Sequence, residues 1–321
     1  PTRNHVRAIK VALPSGEIVE LRRPPVLEKN TVGYKIVHDP VDWFVGSEGT
    51  LGVVLEVEFG LLPKPERIVG LAFPFPDEQA ALAFVAEART ARDITVSGGA
   101  QTVNPRCLEF FCPVTAAIFD GRFEEEAVAA PRVYTEETMR ADEEPPFEQW
   151  LALAEKHGVV DADIEVFDND AALRDARKRR HDIPAVMQER GNRYMSVGGR
   201  RVSTDWSVPY RRLGEVVAMV HRMADEANIP HPVSFGHAGN GHPHQNYVCP
   251  TPEEVRRADA VVGETLKHVI AMGGTAAAEH GIGKVKRHWI GLQLTPLQIR
   301  MMAAVKKELD PLGLMAPGNV F

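Results

Sequence analysis

The chain has 321 residues, 44% of them hydrophobic, and its 37 basic against 44 acidic residues give a formal charge of −7. That length buries a full core in two domains or one large one. The acidic surplus argues against a nucleic-acid footprint and leaves room for a small anionic substrate drawn in by a local pocket. Cys107, Cys112 and Cys249 form no CxxC pair, which gives no support to an iron–sulfur cluster or zinc ribbon. The odd cysteine count fits a reducing compartment, so a cytoplasmic location is expected, with attachment at a membrane surface left open. No apolar run reaches the roughly eighteen residues of a membrane span.

The N-terminal stretch PTRNHVRAIKVALPSGEIVELRR lacks a methionine, places two strands around Ser15-Gly16, and reads as the middle of a domain. Glycine-punctuated strand sequence continues to GSEGTLGVVLEVEFGLLPKPE. There Val53, Leu55, Val57 and Phe59 alternate with Glu56 and Glu58 as in a half-buried strand. Lys64, between two prolines, marks the exit from a first domain spanning 1–66. Next, RIVGLAFPF predicts a strand, Asp77 an N-cap for an alanine-rich helix through Arg92, and CLEFFC another strand. Residues 121–149 are acidic and proline-broken, a solvated helix face and loop to which no chemistry is assigned. Pro209 opens a helix with Leu213, Val216, Val217, Val220 and Met223 in one apolar stripe, ended by Asn228 and Pro230. Thr251-Pro252-Glu253 caps another that turns Val255, Val262, Leu266 and Val269 inward and stops at Gly273-Gly274. Thr295-Pro296 starts the last. A sheet with two helices on one face, a ferredoxin-like α+β layer, is the economical arrangement for residues 67–300, with 301–321 a helix and tail returning to the first domain.

Between those two middle helices, SFGHAGNGHPHQN places His237, His242 and His244 within eight positions around Asn240-Gly241, the strongest local signal for a two-residue hairpin. Centred there, the turn pairs Gly239 with His242, Ala238 with Pro243 and His237 with His244, whose Cβ atoms then sit roughly 5 Å apart on one face. Two imidazoles so placed can share a metal ion. His242 lies on the same face nearer the turn, and Pro243 fits only an edge or a bulge. A structural zinc site wants four ligands where this stretch offers two or three, so a polar hairpin with exposed histidines is the competing reading.

Downstream, TAAAEHGIGKVK sets Glu279 and His280 side by side before two glycines, as at a strand end opening into a site. Glu279 with His237 and His244 makes a two-histidine, one-carboxylate set with open positions, the composition of a catalytic metal centre. His280, on the other side, stays off the metal and is available as a base. An interfacial Glu-His pair without function is the alternative. Upstream, LRDARKRRHDIPAV packs Arg174, Arg177, Lys178, Arg179 and Arg180 into seven positions. Most face solvent, and one or two at helical spacing can enter a cleft and clamp a carboxylate.

In this order and at these separations, GSEGTLGVVLEVEFGLLPKPE, GHAGNGHPHQN, AEHGIGKVK and LDPLGLMAPGNVF resemble the FAD-linked oxidases of the D-2-hydroxyacid dehydrogenase type. That family includes D-lactate dehydrogenase and the flavin subunit of glycolate oxidase. The resemblance covers essentially the whole chain and corresponds to the C-terminal half of a PCMH-type FAD-binding domain followed by the substrate, or cap, domain. The family's glycine-rich loop for the FAD pyrophosphate has no counterpart in it. It implies that His237, His244 and Glu279 hold a divalent metal, zinc or manganese. It further implies that His280 is the base, that Asn246 positions substrate and that Arg179 grips the substrate carboxylate. Two loops are implied to touch the flavin: Lys29, Asn30, Gly33 and Tyr34 in KNTVGY, and Gly46, Ser47, Glu48, Gly49, Thr50 and Gly52 in GSEGTLG. Asn240 stands where an aspartate is common and His242 where an asparagine is common, changes that alter the hydrogen bonds behind the ligands or add a ligand.

The expected activity is oxidation of a small D-2-hydroxy acid, lactate- or glycolate-like, to the 2-oxo acid. The metal would activate the hydroxyl, His280 would take its proton, and FAD would accept hydride from Cα. The electron acceptor leaves no trace in the sequence, and a homodimer and a partner subunit are both compatible with it. Two other readings use the same residues: a metal-dependent hydrolase in which His280 activates water, and a non-catalytic subunit that keeps the fold.

Overall fold

A computed structural model of the chain describes residues 2–24, 28–34, 37–99, 102–160 and 163–320. Pro1 and Phe321, the outer ends of the expected domain ranges, lie outside them. The chain divides into two units, Pro1–Lys64 with Glu279–Phe321, and Pro65–Ala278. The return to the first unit thus begins at Glu279, ahead of residue 301. No helix among the described residues is long and apolar enough to cross a membrane, and Cys107, Cys112 and Cys249 are free thiols.

In the first unit, β1 (Val6–Ala12) and β2 (Ile18–Arg22) form the expected hairpin, paired from Ala8↔Arg22 to Ala12↔Ile18, with Gly16 in the turn. After the short helix α1 (Val41–Phe44), β3 (Val53–Phe59) pairs with the other side of β1 in the order β2-β1-β3. Val6, Ile9 and Val11 pack with Val41, Phe44 and Leu51 in a small core. β3 is exposed along its whole length, where the alternation predicted half-burial. It is one of the two edge strands of its sheet among the described residues, and its acids face neighbouring bases: Glu56 accepts from Lys10 at 3.1 Å and Glu58 from Arg22 at 2.9 Å.

The GSEGTLG and HGIG loops meet inside this unit. Glu48 accepts from the N–H of Ile282 at 2.7 Å and of Gly283 at 2.6 Å. That contact explains Gly281, where a Cβ would lie 2.5 Å from Glu48 Oε1 at a φ of +71° that side chains rarely adopt. The tail is tied in similarly. Helix Pro296–Leu309, opened by a Thr295/Gln298 capping box, runs out at Asp310. The Asp310 carboxylate accepts from the N–H of Leu314 at 2.9 Å and of Met315 at 2.8 Å and pairs with Lys306. Lys306 also donates to the carbonyls of Thr50 and Met315, both at 2.8 Å, so one ammonium joins the tail motif to GSEGTLG.

The second unit is built on a sheet with strand order β7-β4-β6-β5-β9-β10-β8 among the described residues, with neighbours antiparallel. In chain order its elements are β4 (Arg67–Pro74), α2 (Glu78–Val96), β5 (Pro105–Phe111), α3 (Pro113–Phe119), β6 (Arg132–Met139), α4 (Phe147–Glu155) and β7 (Glu165–Phe167). They continue with α5 (Asp170–Asn192), β8 (Arg200–Ser203), α6 (Leu213–Glu226), β9 (Val233–Gly236), β10 (His244–Cys249) and α7 (Pro252–Ala271). Asp77 caps α2 by accepting from the Ala80 N–H at 2.8 Å, and Thr251 with Glu254 forms a capping box on α7. Successive residues of a strand point to opposite faces. Phe73 of β4 therefore joins Phe84 of α2 and Trp150 of α4, with ring centroids 5.1 and 5.7 Å away. Its neighbour Ala72 joins Tyr134, Phe119 and the α5 residues Leu173, Ala176 and Ile183 on the other face. The α+β class holds, with helices on both faces of the sheet rather than on one.

Burial pushes the Asp310 carboxyl up, but Lys306 and the two amide donors outweigh it and hold the group at about 2, below the usual 3.8. A depressed carboxyl contributes stability that is complete above its unfolded value and lost as pH falls through the folded one. Asp310→Asn should therefore lower the thermal midpoint at neutral pH and flatten its decline between about pH 4 and pH 2. Circular-dichroism melts across that range check this, and an unchanged pH profile would contradict the pairing.

Candidate functional site

β9 and β10 bring the three histidines together through a longer connection than the expected two-residue hairpin. The ladder pairs His244 with Phe235, Gln245 with Ser234 and Asn246 with Val233, so residues 237–243 form the loop, with a 3-10 turn at Ala238–Asn240. Inside it the N–H groups of Asn240 and His242 both donate to the His237 carbonyl, at 2.9 and 3.2 Å. The Asn-Gly signal is answered elsewhere. Gly241 sits at φ +68° with its backbone against the neighbouring loop, where a Cβ would lie 1.8 Å from the Val208 carbonyl oxygen. The rings converge all the same, with centroid separations of 5.3 Å for His237–His244, 4.6 Å for His242–His244 and 5.8 Å for His237–His242.

Buried partners aim two of these rings. His237 Nδ1 lies 3.0 Å from Oε1 of Glu109, a β5 residue only 2% exposed. An ionised carboxylate only accepts, so Nδ1 carries the proton and Nε2 keeps the lone pair that binds metals. His242 donates from Nδ1 to the Trp206 carbonyl at 2.7 Å, which turns Nε2 toward Asp205 Oδ1 at 3.4 Å. Asp205, His242 and His244 each place one ligand atom within 4.8 Å of the others. Two imidazoles and a carboxylate at that spacing suit a divalent cation.

Asn246 shares the face of His244 by strand alternation and is buried. Its Oδ1 accepts from Arg201 Nη1 at 3.0 Å, while its Nδ2 has no hydrogen-bond partner among the described residues. Burial lowers the Arg201 pKa. Glu279 and His280 open the segment that returns to the first unit, with His280 Nε2 3.9 Å from Glu279 Oε2 and both side chains exposed. Ala278, just before them, donates its N–H to the Asp205 carbonyl at 2.7 Å.

The arginine brought to the histidines is Arg180, which corrects the expectation for Arg179. Leu173, Ala176, Ile183 and Met187 form the buried stripe of α5, and Arg180 falls on it at helical spacing. Its Nη2 reaches Glu109 Oε1 at 3.1 Å, the same oxygen that His237 engages. Arg179, half-buried on the flank of the stripe, pairs instead with Asp175 at 2.7 Å and Glu165 at 3.5 Å, its guanidinium over the rings of Phe119 and Phe167.

Of the expected flavin-contacting residues, Lys29, Asn30, Gly33 and Tyr34 are exposed, Tyr34 at 83%. In the second loop Gly46 and Gly49 take positive φ, Thr50 and Gly52 are buried, Ser47 accepts from the Thr50 hydroxyl at 2.7 Å, and Glu48 uses its carboxylate on the HGIG loop. Burial pushes the Cys107 thiol up to about 12, so it offers no thiolate beside Glu109.

Residues 64–320 match the family described as FAD linked oxidases, C-terminal domain. Curated relatives include the glycolate oxidase subunit GlcD of Bacillus subtilis, 27% identical over 332 residues that cover 100% of this chain and 64% of the relative. A D-lactate dehydrogenase of Anaerostipes hadrus is 28% identical over 344 residues, 99% of this chain and 64% of the relative. A D-2-hydroxyglutarate dehydrogenase of Stutzerimonas stutzeri is 29% identical over 336 residues, 100% and 65%. The chain thus spans less than two thirds of the length of these relatives. Among solved structures it is similar in fold to p-cresol methylhydroxylase with substrate bound, with a TM-score of 0.67 at 16% identity over 99% of this chain and 65% of that one.

The two neighbouring arginines should respond differently to removal. Arg180→Ala leaves the buried Glu109 carboxylate short of a counter-charge and should cost about 3 kcal/mol. Arg179→Ala loses two partly exposed ion pairs and its place over two rings and should cost about 1 kcal/mol. Urea unfolding of both variants measures the difference, and equal costs would contradict the assignment of Arg180 to the inner face.

Proposed function

Because the chain belongs to the FAD-linked oxidases through their C-terminal domain, we propose that it carries the substrate-binding part of an enzyme that oxidises a small D-2-hydroxy acid to its 2-oxo acid. The observation that carries this reading is the convergence of His237, His242 and His244, with Glu109 fixing the His237 tautomer. Glycolate, lactate and 2-hydroxyglutarate, the compounds in the names of the relatives, are all 2-hydroxy acids.

A divalent cation, zinc or manganese, held by His237, His244 and Glu279 would supply a Lewis acid for the substrate hydroxyl, and FAD a two-electron acceptor. The donors suit such an ion: with Nδ1 of His237 facing Glu109, Nε2 is the ring nitrogen that would coordinate it. Asp205 and His242 add a carboxylate and an imidazole beside His244. His280 would take the proton of the substrate hydroxyl. Asn246, braced by Arg201, positions the substrate, and Arg180, braced by Glu109, presents its guanidinium to the substrate carboxylate. The GSEGTLG loop, with KNTVGY, contributes to the flavin site. Membership of this family weighs against a hydrolase built on the same residues.

Chelation should abolish oxidation of 2-hydroxy acids by the intact protein, and added zinc or manganese should restore it. His244→Ala should lose metal and activity together. His280→Asn should lower kcat about 100-fold to 10,000-fold with metal content unchanged. Metal analysis and steady-state kinetics measure both. Full metal content and full turnover in His244→Ala would overturn the reading, and the absence of turnover in the flavin-loaded, metal-loaded protein would mark a non-catalytic subunit.

A further inference from the structure

A cavity of about 830 Å³ in the second unit shares no lining residue with the histidine cluster. It forms where the turn into α2, the turn into α3, one face of α6 and the segment leading into β9 meet. Much of its wall is apolar and stiff, because Pro76, Pro113, Pro131 and Pro232 bring pyrrolidine rings from separate segments. Its polar centre is Glu78, the first residue of α2, with His221 of α6 opposite. The Glu78 side chain is only 17% exposed and accepts no hydrogen bond among the described residues, since His221 Nε2 stands 3.7 Å from its Oε2, beyond bonding reach. Burial pushes the Glu78 carboxyl up, and burial beside His231 holds His221 down to about 4, so at neutral pH His221 brings no charge to it. The other charged groups in the lining are engaged elsewhere or point away. Asp77 accepts from the Ala80 N–H at 2.8 Å, His231 Nε2 meets Asp225 Oδ1 at 2.8 Å, and Arg222 is exposed and forms no ion pair with Glu78.

A largely desolvated carboxylate without a cationic partner is costly, and this one faces a cavity within the roughly 300–1,000 Å³ of small-molecule sites. The partner that fits is a positively charged donor carried on an apolar body. A metal ion fits poorly. The rings of His221 and His231 stack with centroids 4.2 Å apart and planes at 9°, and an imidazole coordinates in its own plane, so two stacked rings cannot converge on one ion. An ammonium has no such constraint. Its N–H groups radiate in several directions, and two acceptors 3.7 Å apart, a carboxylate oxygen and the lone pair of a neutral imidazole, lie within reach of one such nitrogen. We propose that this cavity binds a small organic ammonium ion, its nitrogen on Glu78 and His221 and its apolar body against the proline wall. The site is independent of the hydroxy-acid reading of the histidine cluster.

Calorimetric titration of the intact protein with 2-phenylethylamine, 2-phenylethanol and 3-phenylpropanoate compares a cation, a neutral molecule and an anion of similar shape. The amine should bind about 10-fold to 100-fold more tightly than the alcohol, the range of one charge-assisted hydrogen bond, and the acid should bind least. Glu78→Gln, which keeps the side chain's shape, should abolish the preference. Asp77→Asn keeps the helix cap and Arg222→Ala removes an exposed cation, so both should retain it. In NMR spectra the amine should move the ring resonances of His221 and leave those of His237, His242 and His244 in place. Equal affinity for amine and alcohol, no binding of the amine at millimolar concentration, or a preference that survives Glu78→Gln overturns the proposal. A loss in Asp77→Asn as large as in Glu78→Gln also overturns it, because the preference then comes from the general field at the start of α2. Shifts confined to His237, His242 and His244 put the amine in the other site and overturn it too.

Discussion

A carboxylate buried in a sheet has to be met by positive charge or by donors, because the desolvation of an unpaired one costs several kcal/mol. Glu109 is met by two groups at one oxygen: His237 Nδ1 at 3.0 Å and Arg180 Nη2 at 3.1 Å. Through that oxygen β5, α5 and the loop between β9 and β10 are held in one arrangement. The orientation of the His237 ring and the inward turn of Arg180 follow from it. On the far side of the cluster the Trp206 carbonyl does similar work for His242. Two of the three imidazoles are thus oriented from different directions by groups that lie outside the histidine motif.

The first unit uses the same device for a different end. Glu48 and Lys306 are polar groups whose partners are backbone atoms of other loops, so GSEGTLG, HGIG and LDPLGLMAPG form one interlocked assembly. Gly281 belongs to it because the Glu48 carboxylate occupies the space a side chain would need. Motifs far apart in sequence are therefore joined here, and the HGIG loop they meet follows directly on Glu279.

What the sequence made legible was mostly local chemistry. Asp77, Thr251 and Thr295 announce their helices because a cap is a contact between residues two or three apart. The β1–β2 hairpin follows from its turn in the same way. The gathering of His237, His242 and His244 was also readable, although the register was not, since the Asn-Gly turn yields to the approach of Val208 from a distant segment. Alternation in β3 identified a strand but carries no information about which strand forms an edge. Arg180 was within reach: the spacing of Leu173, Ala176, Ile183 and Met187 puts it near the middle of the buried stripe and Arg179 on the flank. Glu109 gave a fainter signal as the one charged residue in CLEFFC, and Asp205 gave none, because only the tertiary fold brings it to His242.

The central claim is that this cluster serves the oxidation of a 2-hydroxy acid by FAD, and the most direct test follows the flavin itself. A D-2-hydroxy acid is added anaerobically to the intact, flavin-loaded and metal-loaded protein while its visible absorption is recorded. The oxidised-flavin band should bleach, with an equimolar amount of 2-oxo acid formed, and chelation beforehand should prevent both. A flavin band that stays unbleached with metal bound and hydroxy acid in excess would contradict the claim.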